Sequence, residues 1–396
     1  MSSSSSTRLS QADWLLIATL SMLTFVLGTS EFVIVGILSE IADGLNITIA
    51  KAGTLVSAFA IAFAIGTPIT MSLTGHLERR KLMLSLIFVW IILNICSGIA
   101  PNYELLLLSR IVTAVLTGVL ISLAMVVASD SVPIAKRGVA VSFIFGGFTM
   151  ANVLGVPIGT FIGQHAGYSA TFWLTSSLGV VALLAVLKVV PVQQSESSGS
   201  IREQLSLLAN PRIMIAFFIP SFGFGATYVV YTYLVPVLEL ELKLPSAWIS
   251  PILLAYGVVS IFSNILAGKI ASRNPIGRLR FVFIVQAIVL AALYVTTASV
   301  SLGLINIALM SLMSILLTTS TQIYLIDLAE KFNPEAKGLA ASLMPVASNV
   351  GIAFGSALGG LVYANGPIMN IALVGGAVAI LAAALTAVSH RLDQHS

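Results

Sequence analysis

Two ionisable residues stand where few are tolerated. Glu31 is the one charged residue of "FVLGTSEFVIVGIL", residues 25–38, and Arg110 is the one charged residue of "SRIVTAVLTG", residues 109–118. A carboxyl group can take up and release a proton, whereas a guanidinium stays cationic. Placing either inside an apolar span costs about 2.5–3.5 kcal/mol, so such residues face a water-filled path and mark the route of an ion or solute. Carboxamides also lie within apolar runs, at Asn94, Asn152, Asn264, Gln286, Asn306, Gln322 and Asn349. Hydrogen bonding between helices is their simplest use. In "ATYVVYTYLVP", Tyr228 and Tyr231 are three apart and share a helix face, while Tyr233 points elsewhere. Two phenol rings on one face form a surface on which a planar or amphipathic solute can stack, although packing is the plainer use. Pro236 is expected to break that helix.

Enzymatic groupings are missing from the sequence. There is no G-x-x-x-x-G-K-[ST] motif, and "GTSEF" is not a G-x-S-x-G elbow. His76 and His165 lie in loops on opposite faces, His390 and His395 lie in the tail, and no His/Cys/Asp cluster has metal-ligand spacing. No enzyme, cofactor or metal is expected, and without a G-x-x-x-x-G-K-[ST] loop ATP is not the energy source. The lone cysteine, Cys96, excludes an intramolecular disulfide.

The elements that position these residues follow from composition. Of 396 residues, 58% are hydrophobic and 9% charged, with mean hydropathy +1.04. A soluble domain carries about 25% charged residues. So little charge cannot cover a surface facing water, and the surrounding medium must be mostly lipid. Apolar runs long enough to cross a bilayer fall near 14–38, 50–74, 82–100, 104–128, 138–162 and 170–190, then 213–238, 246–268, 279–298, 301–325, 338–362 and 367–389. The fold class is therefore all-α, with twelve transmembrane helices in two six-helix bundles, 14–190 and 213–389. The polar stretch 191–212 reads as a linker in which "IREQLSLL" can form a short surface helix. Residues 1–13 and 390–396 read as tails.

Charge asymmetry orients this arrangement. Of the 19 Lys and Arg, 16 fall on the side of the termini; Lys51 and Lys243 fall opposite, and Arg110 lies within a span. The positive-inside rule then makes both termini cytoplasmic, in a multi-pass protein of the cell membrane. The pI near 9.2 is explained by these loop residues rather than by nucleic acid. On this topology Glu31 and Arg110 both lie about 9–10 Å below the outer edge, at 1.5 Å per residue.

The halves are alike. "AKRGVAVS", residues 135–142, matches "EAKGLAAS", residues 335–342, and at the same offset of 200 Gly155 and Gly159 fall on Gly355 and Gly359. Such duplication marks a repeat-built transporter with its site between the halves. Gly147, Gly155, Gly159 and Gly163 put a smooth stripe on the fifth span, as Gly351, Gly355 and Gly359 do on the eleventh. These stripes permit close helix approach, and the interface between halves is one place to use it. Pro157 removes a backbone hydrogen bond and permits local bending.

At this point the chain resembles the major facilitator superfamily, specifically its twelve-span drug:proton antiporter group. "GTSEFVIVGILSEIADGLNITIAKAGTLVSAFA" is similar to the opening of the bacterial subgroup that exports chloramphenicol, sugars such as arabinose, or purine bases. "LGVPIGTFIGQHAGYSATFW" is similar to the group's fifth-span antiporter motif, and "YTYLVPVL" and "ASNVGIAFGSALGGLV" also match. Departures are present. The loop after the second span reads "GHLERRK", with Glu78 in the acidic place, and "GKIASRNPIGRLR" has Ser272 there. "SRIVTAVLTG" lacks the usual glutamine–glycine after its arginine.

The resemblance implies that spans one and four flank each other and line a central cavity, so that Glu31 and Arg110 could approach there. If their pairing differs between inward and outward states, Glu31 exchanges a proton each cycle; the plainer alternatives are a permanent lock between two helices and an Arg110 that snorkels to water. Gln322 and Asn349 fall in stretches similar to the family's cavity region, and with Tyr228, Tyr231 and Asn152 they are the expected solute contacts. Glu78, Arg79, Arg80 and Lys81 set topology or form a cytoplasmic latch with Asp130 as acceptor, while Gly155, Pro157 and Gly159 serve the conformational change. The expected function is proton-coupled efflux by alternating access of a small neutral or amphipathic solute. The partners are that solute, protons and the bilayer, with no nucleic acid, and the chain acts as a monomer as the family usually does. An uptake symporter or facilitator is the alternative, and a membrane sensor a more distant one.

Overall fold

The computed structural model describes residues 9–133, 136–192, 209–271, 275–332 and 337–394, and these are helical with no strand among them. In chain order the helices are α1 (Gln11–Gly36), α2 (Leu38–Gly44), α3 (Ile49–Thr74), α4 (Arg79–Gly98), α5 (Tyr103–Ser131), α6 (Arg137–Met150), α7 (Val156–Ala166), α8 (Tyr168–Val189), α9 (Pro211–Tyr231), α10 (Ile249–Ala271), α11 (Pro275–Thr296), α12 (Val300–Ser314), α13 (Leu316–Phe332), α14 (Lys337–Ala364) and α15 (Asn370–Gln394). Among the described residues, twelve continuous helical stretches are long and apolar enough to cross a membrane. A helix suits such a segment because lipid offers its backbone N–H and C=O groups no partners and a helix pairs them within itself. Most of the linker, including "IREQLSLL", lies outside the described residues.

Local chemistry sets the boundaries. Asn102 caps α5 by accepting from the Leu105 amide at 2.9 Å, and Asn210 caps α9 by accepting from the Arg212 amide at 2.9 Å. Between α6 and α7 the helix widens into one π-turn, Ala151–Gly155. It immediately precedes Val156 and Pro157, where a missing amide hydrogen already weakens the regular ladder. In the seventh span the break expected at Pro236 falls earlier. The continuous helix ends at Tyr231, and after Tyr233 the chain resumes as the short turn Leu234–Pro236 and a second π-turn, Val237–Glu241. Proline disrupts the bond to the carbonyl four residues before it, which is that of Thr232. The disruption therefore appears one turn upstream of the proline itself.

The chain forms two compact units, 1–33 with 66–198 and 34–65 with 199–396. In the first, α4 packs on α5 and α8. There α6 and α7 lie close against α1: a Cβ on Gly147 would stand 2.1 Å from the Ser21 carbonyl, one on Gly155 2.1 Å from the Thr29 hydroxyl, and one on Gly159 2.2 Å from a Val33 methyl. Thr24 donates to the Ile144 carbonyl at 2.7 Å across the same contact. In the second unit α9 packs on α14 and α15, and α11 on α15. There a Cβ on Gly351, Gly355 or Gly359 would meet the carbonyl of Ser221, Gly225 or Val229 at 2.2, 2.2 or 2.5 Å. These glycines of both stripes thus close a helix pair inside one unit. Sequence can show that a helix has a smooth face, but not which neighbour that face meets.

Candidate functional site

In the first unit, one buried polar network ties four helices together, with Arg110 at its centre. Arg110 is 0% exposed. Its Nη1 donates to Ser30 Oγ at 3.0 Å and its Nη2 to the Ser30 carbonyl at 2.8 Å. The guanidinium also lies 5.9 Å from the centre of the Phe172 ring, within cation–π range. Ser30 in turn donates to Asn94 Oδ1 at 2.9 Å, Thr175 donates to the same oxygen at 3.3 Å, and Asn94 Nδ2 donates to the Trp90 carbonyl at 2.9 Å. Trp90 Nε1 donates to Thr117 Oγ1 at 3.1 Å. The side chains come from α1, α4, α5 and α8. Arg110 therefore does not snorkel, because the hydroxyl and carbonyl of Ser30 hold the fork inside.

Glu31 follows Ser30 on α1. Its side chain keeps partial exposure, yet Oε2 is buried and has no hydrogen-bond partner among the described residues. Glu31 and Arg110 act on each other electrostatically. A buried cation needs a compensating charge or a full set of acceptors. Here Ser30 accepts from both Nη atoms, and the carboxyl of Glu31 supplies opposite charge whenever it is ionised. Proton uptake by Glu31 would remove that charge from the surroundings of the guanidinium.

The second unit carries rings and carboxamides instead. Tyr228 and Tyr231 meet edge to face with centroids 5.4 Å apart, and Tyr231 stacks on Tyr256 of α10 at 5.1 Å with planes 26° apart. Ser311 donates to the Tyr256 carbonyl at 2.5 Å, and the Tyr256 side chain bonds Ser314. Three buried carboxamide oxygens, on Gln286, Asn306 and Asn349, have no hydrogen-bond partner among the described residues. The nitrogens of two are occupied: Gln286 Nε2 donates to the Gly223 carbonyl at 3.0 Å and to Thr227 Oγ1 at 2.8 Å, and Asn349 Nδ2 donates to the Pro345 carbonyl at 3.2 Å. Of the other expected solute contacts, Asn152 is half-buried in the π-turn and Gln322 is exposed.

The Lys/Arg-rich ends of the helices carry their own ion pairs. In the first unit Arg79 Nη1 pairs with Asp130 Oδ2, and Arg137 Nη2 approaches Asp130 Oδ1 at 4.0 Å. Glu78 pairs with Lys81 at 2.9 Å, and Arg80 donates to the Leu187 carbonyl. In the second unit Arg212 Nη1 pairs with Asp393 Oδ1 at 3.0 Å, and Tyr324 donates to Asp393 Oδ2 at 2.7 Å. The Lys/Arg-poor end of the second unit is acidic. Ser39 Oγ donates to Glu239 Oε2 at 2.8 Å, beside Glu40. Burial pushes the Glu40 carboxyl up to about 7, against the hydrogen bond from its own backbone, and the charges of Glu239 and Asp43 add to the rise.

Sequence reading missed Ser30, Phe172, Thr175, Tyr256 and Glu239. Ser30 adjoins Glu31 and was the accessible clue. Tyr256 lies in "LLAYGVVS" with nothing to separate it from an ordinary packing ring.

Comparison with known proteins places this geometry. The Major Facilitator Superfamily profile matches residues 20–331. The uncharacterized MFS-type transporter YtbD of Bacillus subtilis (strain 168) is 37% identical over 376 residues, covering 95% of each chain. The inner membrane transport protein YdhP of Escherichia coli (strain K12) is 32% identical over 364 residues, covering 90% of this chain and 92% of its own. Among solved structures, the nucleoside transporter NupG superposes with TM-score 0.78 at 16% identity, covering 96% of this chain and 99% of its own. An inward-facing, occupied bacterial homologue of the human lysosomal transporter Spinster gives 0.78 at 13% identity, covering 97% and 98%. The chain belongs to the major facilitator superfamily of membrane transporters.

Proposed function

We propose that the protein is a proton-coupled antiporter that exports a small neutral or amphipathic solute by alternating access. Glu31 carries the proton in this reading. The observation behind it is a carboxyl with one buried, unpartnered oxygen that acts electrostatically on a fully buried guanidinium held by Ser30. Protonating Glu31 changes the charge balance around Arg110, so the loaded and unloaded carboxyl favour different arrangements of α1 against α5. Tyr228, Tyr231 and Tyr256, with the free oxygen of Asn349, form the solute-facing surface, with Asn152 and Gln322 as further contacts. Stacked phenols and carboxamide acceptors suit a planar neutral molecule that donates hydrogen bonds, such as a purine base or an aromatic drug, better than an anion. Arg79 and Asp130, with Glu78 and Arg80 beside them, act as the cytoplasmic latch, and Gly155, Pro157 and Gly159 accommodate the motion. The protein is a monomer in the cell membrane with both termini cytoplasmic, and its halves are 14–190 and 213–389.

Proteoliposomes under an imposed pH gradient test this. Solute should move uphill against the direction of proton flow. Movement in the same direction as protons would establish an uptake symporter, and flux indifferent to the gradient a facilitator.

A further inference from the structure

At the upstream end of the break in the seventh span, one aromatic side chain leaves the face of its neighbours and enters a hole made of backbone. Tyr233 is 0% exposed, and its hydroxyl donates to the Ser356 carbonyl at 3.1 Å. Three glycines form the walls. A Cβ on Gly359 would stand 2.9 Å from the ring, one on Gly360 2.6 Å from the hydroxyl, and one on Gly53 2.1 Å from the hydroxyl. Tyr363 completes the enclosure, its ring edge-on at 6.0 Å. Gly359 and Gly360 belong to α14, but Gly53 belongs to α3, in the segment 34–65 that the second unit takes from early in the chain. Ser39, in the same segment, reaches Glu239 just past the break. A tyrosine in a socket and a hydroxyl–carboxyl bond thus help fasten segment 34–65 at the Lys/Arg-poor end.

The form of the socket matters. Interdigitated side chains separate only by changing rotamers on both sides, because protein interiors pack as densely as crystals. Glycine walls present no side chain to interlock, so a ring can enter and leave them as a rigid plug. The helix break beside it supplies the backbone freedom, since the Thr232 carbonyl is already released from the regular ladder by Pro236.

We propose that Tyr233 is a releasable clasp: seated between Gly53 of α3 and Gly359–Gly360 of α14, it shuts the transport pathway at the Lys/Arg-poor end and must withdraw for that end to open. The proposal rests on the reading of the chain as an alternating-access transporter, but its test does not depend on flux. The reporter is Ser57→Cys, one helical turn from Gly53 and buried, in a Cys96→Ser background that removes the native thiol. A membrane-impermeant maleimide is added from the Lys/Arg-poor side of proteoliposomes of known orientation. With the clasp seated, labelling is slow. Gly53→Ala, which puts a methyl where the hydroxyl sits, and Tyr233→Ala should each raise the labelling rate about tenfold or more. Tyr233→Phe keeps the ring and should give a smaller rise. Unchanged labelling in folded Gly53→Ala and Tyr233→Ala protein, judged by elution volume and melting temperature, would overturn the clasp. So would misfolding of both with unchanged labelling in Tyr233→Phe, because Tyr233 would then be fixed packing. Absent proton-coupled flux alongside faster labelling would count against the antiporter reading and leave the clasp standing.

Discussion

Glu31 on α1 and Tyr231 on α9 stand 200 residues apart, at the offset that relates the duplicated glycines, and they make the two units different instruments on one scaffold. Next to Glu31, Ser30 joins Arg110 to Asn94 in a network able to hold charge. Around Tyr231 they are Tyr228 and Tyr256, a surface able to hold a ring. The glycine contacts differ as well. In the first unit Gly155 and Gly159 meet the side chains of Thr29 and Val33, whereas in the second Gly355 and Gly359 meet backbone carbonyls. Duplication fixes where helices approach closely and leaves each copy free to specialise, so damage to one unit should impair coupling and damage to the other recognition.

The largest break in that comparison should come from Arg110→Ala. It leaves the Ser30 hydroxyl and carbonyl oxygens short of the guanidinium's donors and the Glu31 carboxyl without its cation, and losing one partner of a buried charged network costs about 3–5 kcal/mol. Thermal unfolding in detergent should show a clear fall in melting temperature, while Arg110→Lys, which keeps the charge but not the fork, should fall less. Next is the glycine pair. Overpacking costs about 1–3 kcal/mol, and Gly355→Ala should sit at the upper end because a carbonyl cannot turn aside. Gly155→Ala should be milder, because the Thr29 side chain can rotate; melting temperatures of the two variants decide the order. Tyr231→Ala should then weaken solute binding about tenfold, or about 1.4 kcal/mol, with proton coupling intact, and Tyr231→Phe should bind almost normally. Equilibrium binding and counterflow separate these.

The smallest effect is one of pH. The Glu40 carboxyl, raised to about 7 by burial beside Glu239 and Asp43, carries a proton in the folded protein that the unfolded chain has already lost. The sign follows from linkage: between the ordinary carboxyl range and about pH 7 stability falls as pH rises, because the folded state binds more protons. Segment 34–65 should therefore be held most firmly under acid conditions and loosen through pH 7. Hydrogen exchange of α2 should show this, and Glu40→Gln should flatten the profile.

Much of this was legible from composition and charge. Lipid penalises charge so heavily that each span announces itself, while the turn between α11 and α12, with apolar runs reaching 298 and resuming at 301, falls slightly earlier, at Thr297–Ser299. Glu31 and Arg110 were conspicuous for the same reason. Pairing between helices was not legible. A lipid-embedded helix is apolar on most faces, so periodicity does not report which side meets protein, and the glycine stripes could not be assigned to α1 or α9 in advance. Tyr256 and Phe172 were hidden because an aromatic residue in an apolar run is the ordinary case. The turn at Tyr233 was displaced because proline acts on the carbonyl one turn before it.

The central claim is that the Glu31 carboxyl carries the coupled proton, and the direct measurement is solute movement by purified Glu31→Gln protein in liposomes, with and without an imposed pH gradient. The account predicts that gradient-driven accumulation is lost while exchange at equal concentrations persists at close to the native rate. Accumulation at the native level in folded Glu31→Gln protein would contradict it.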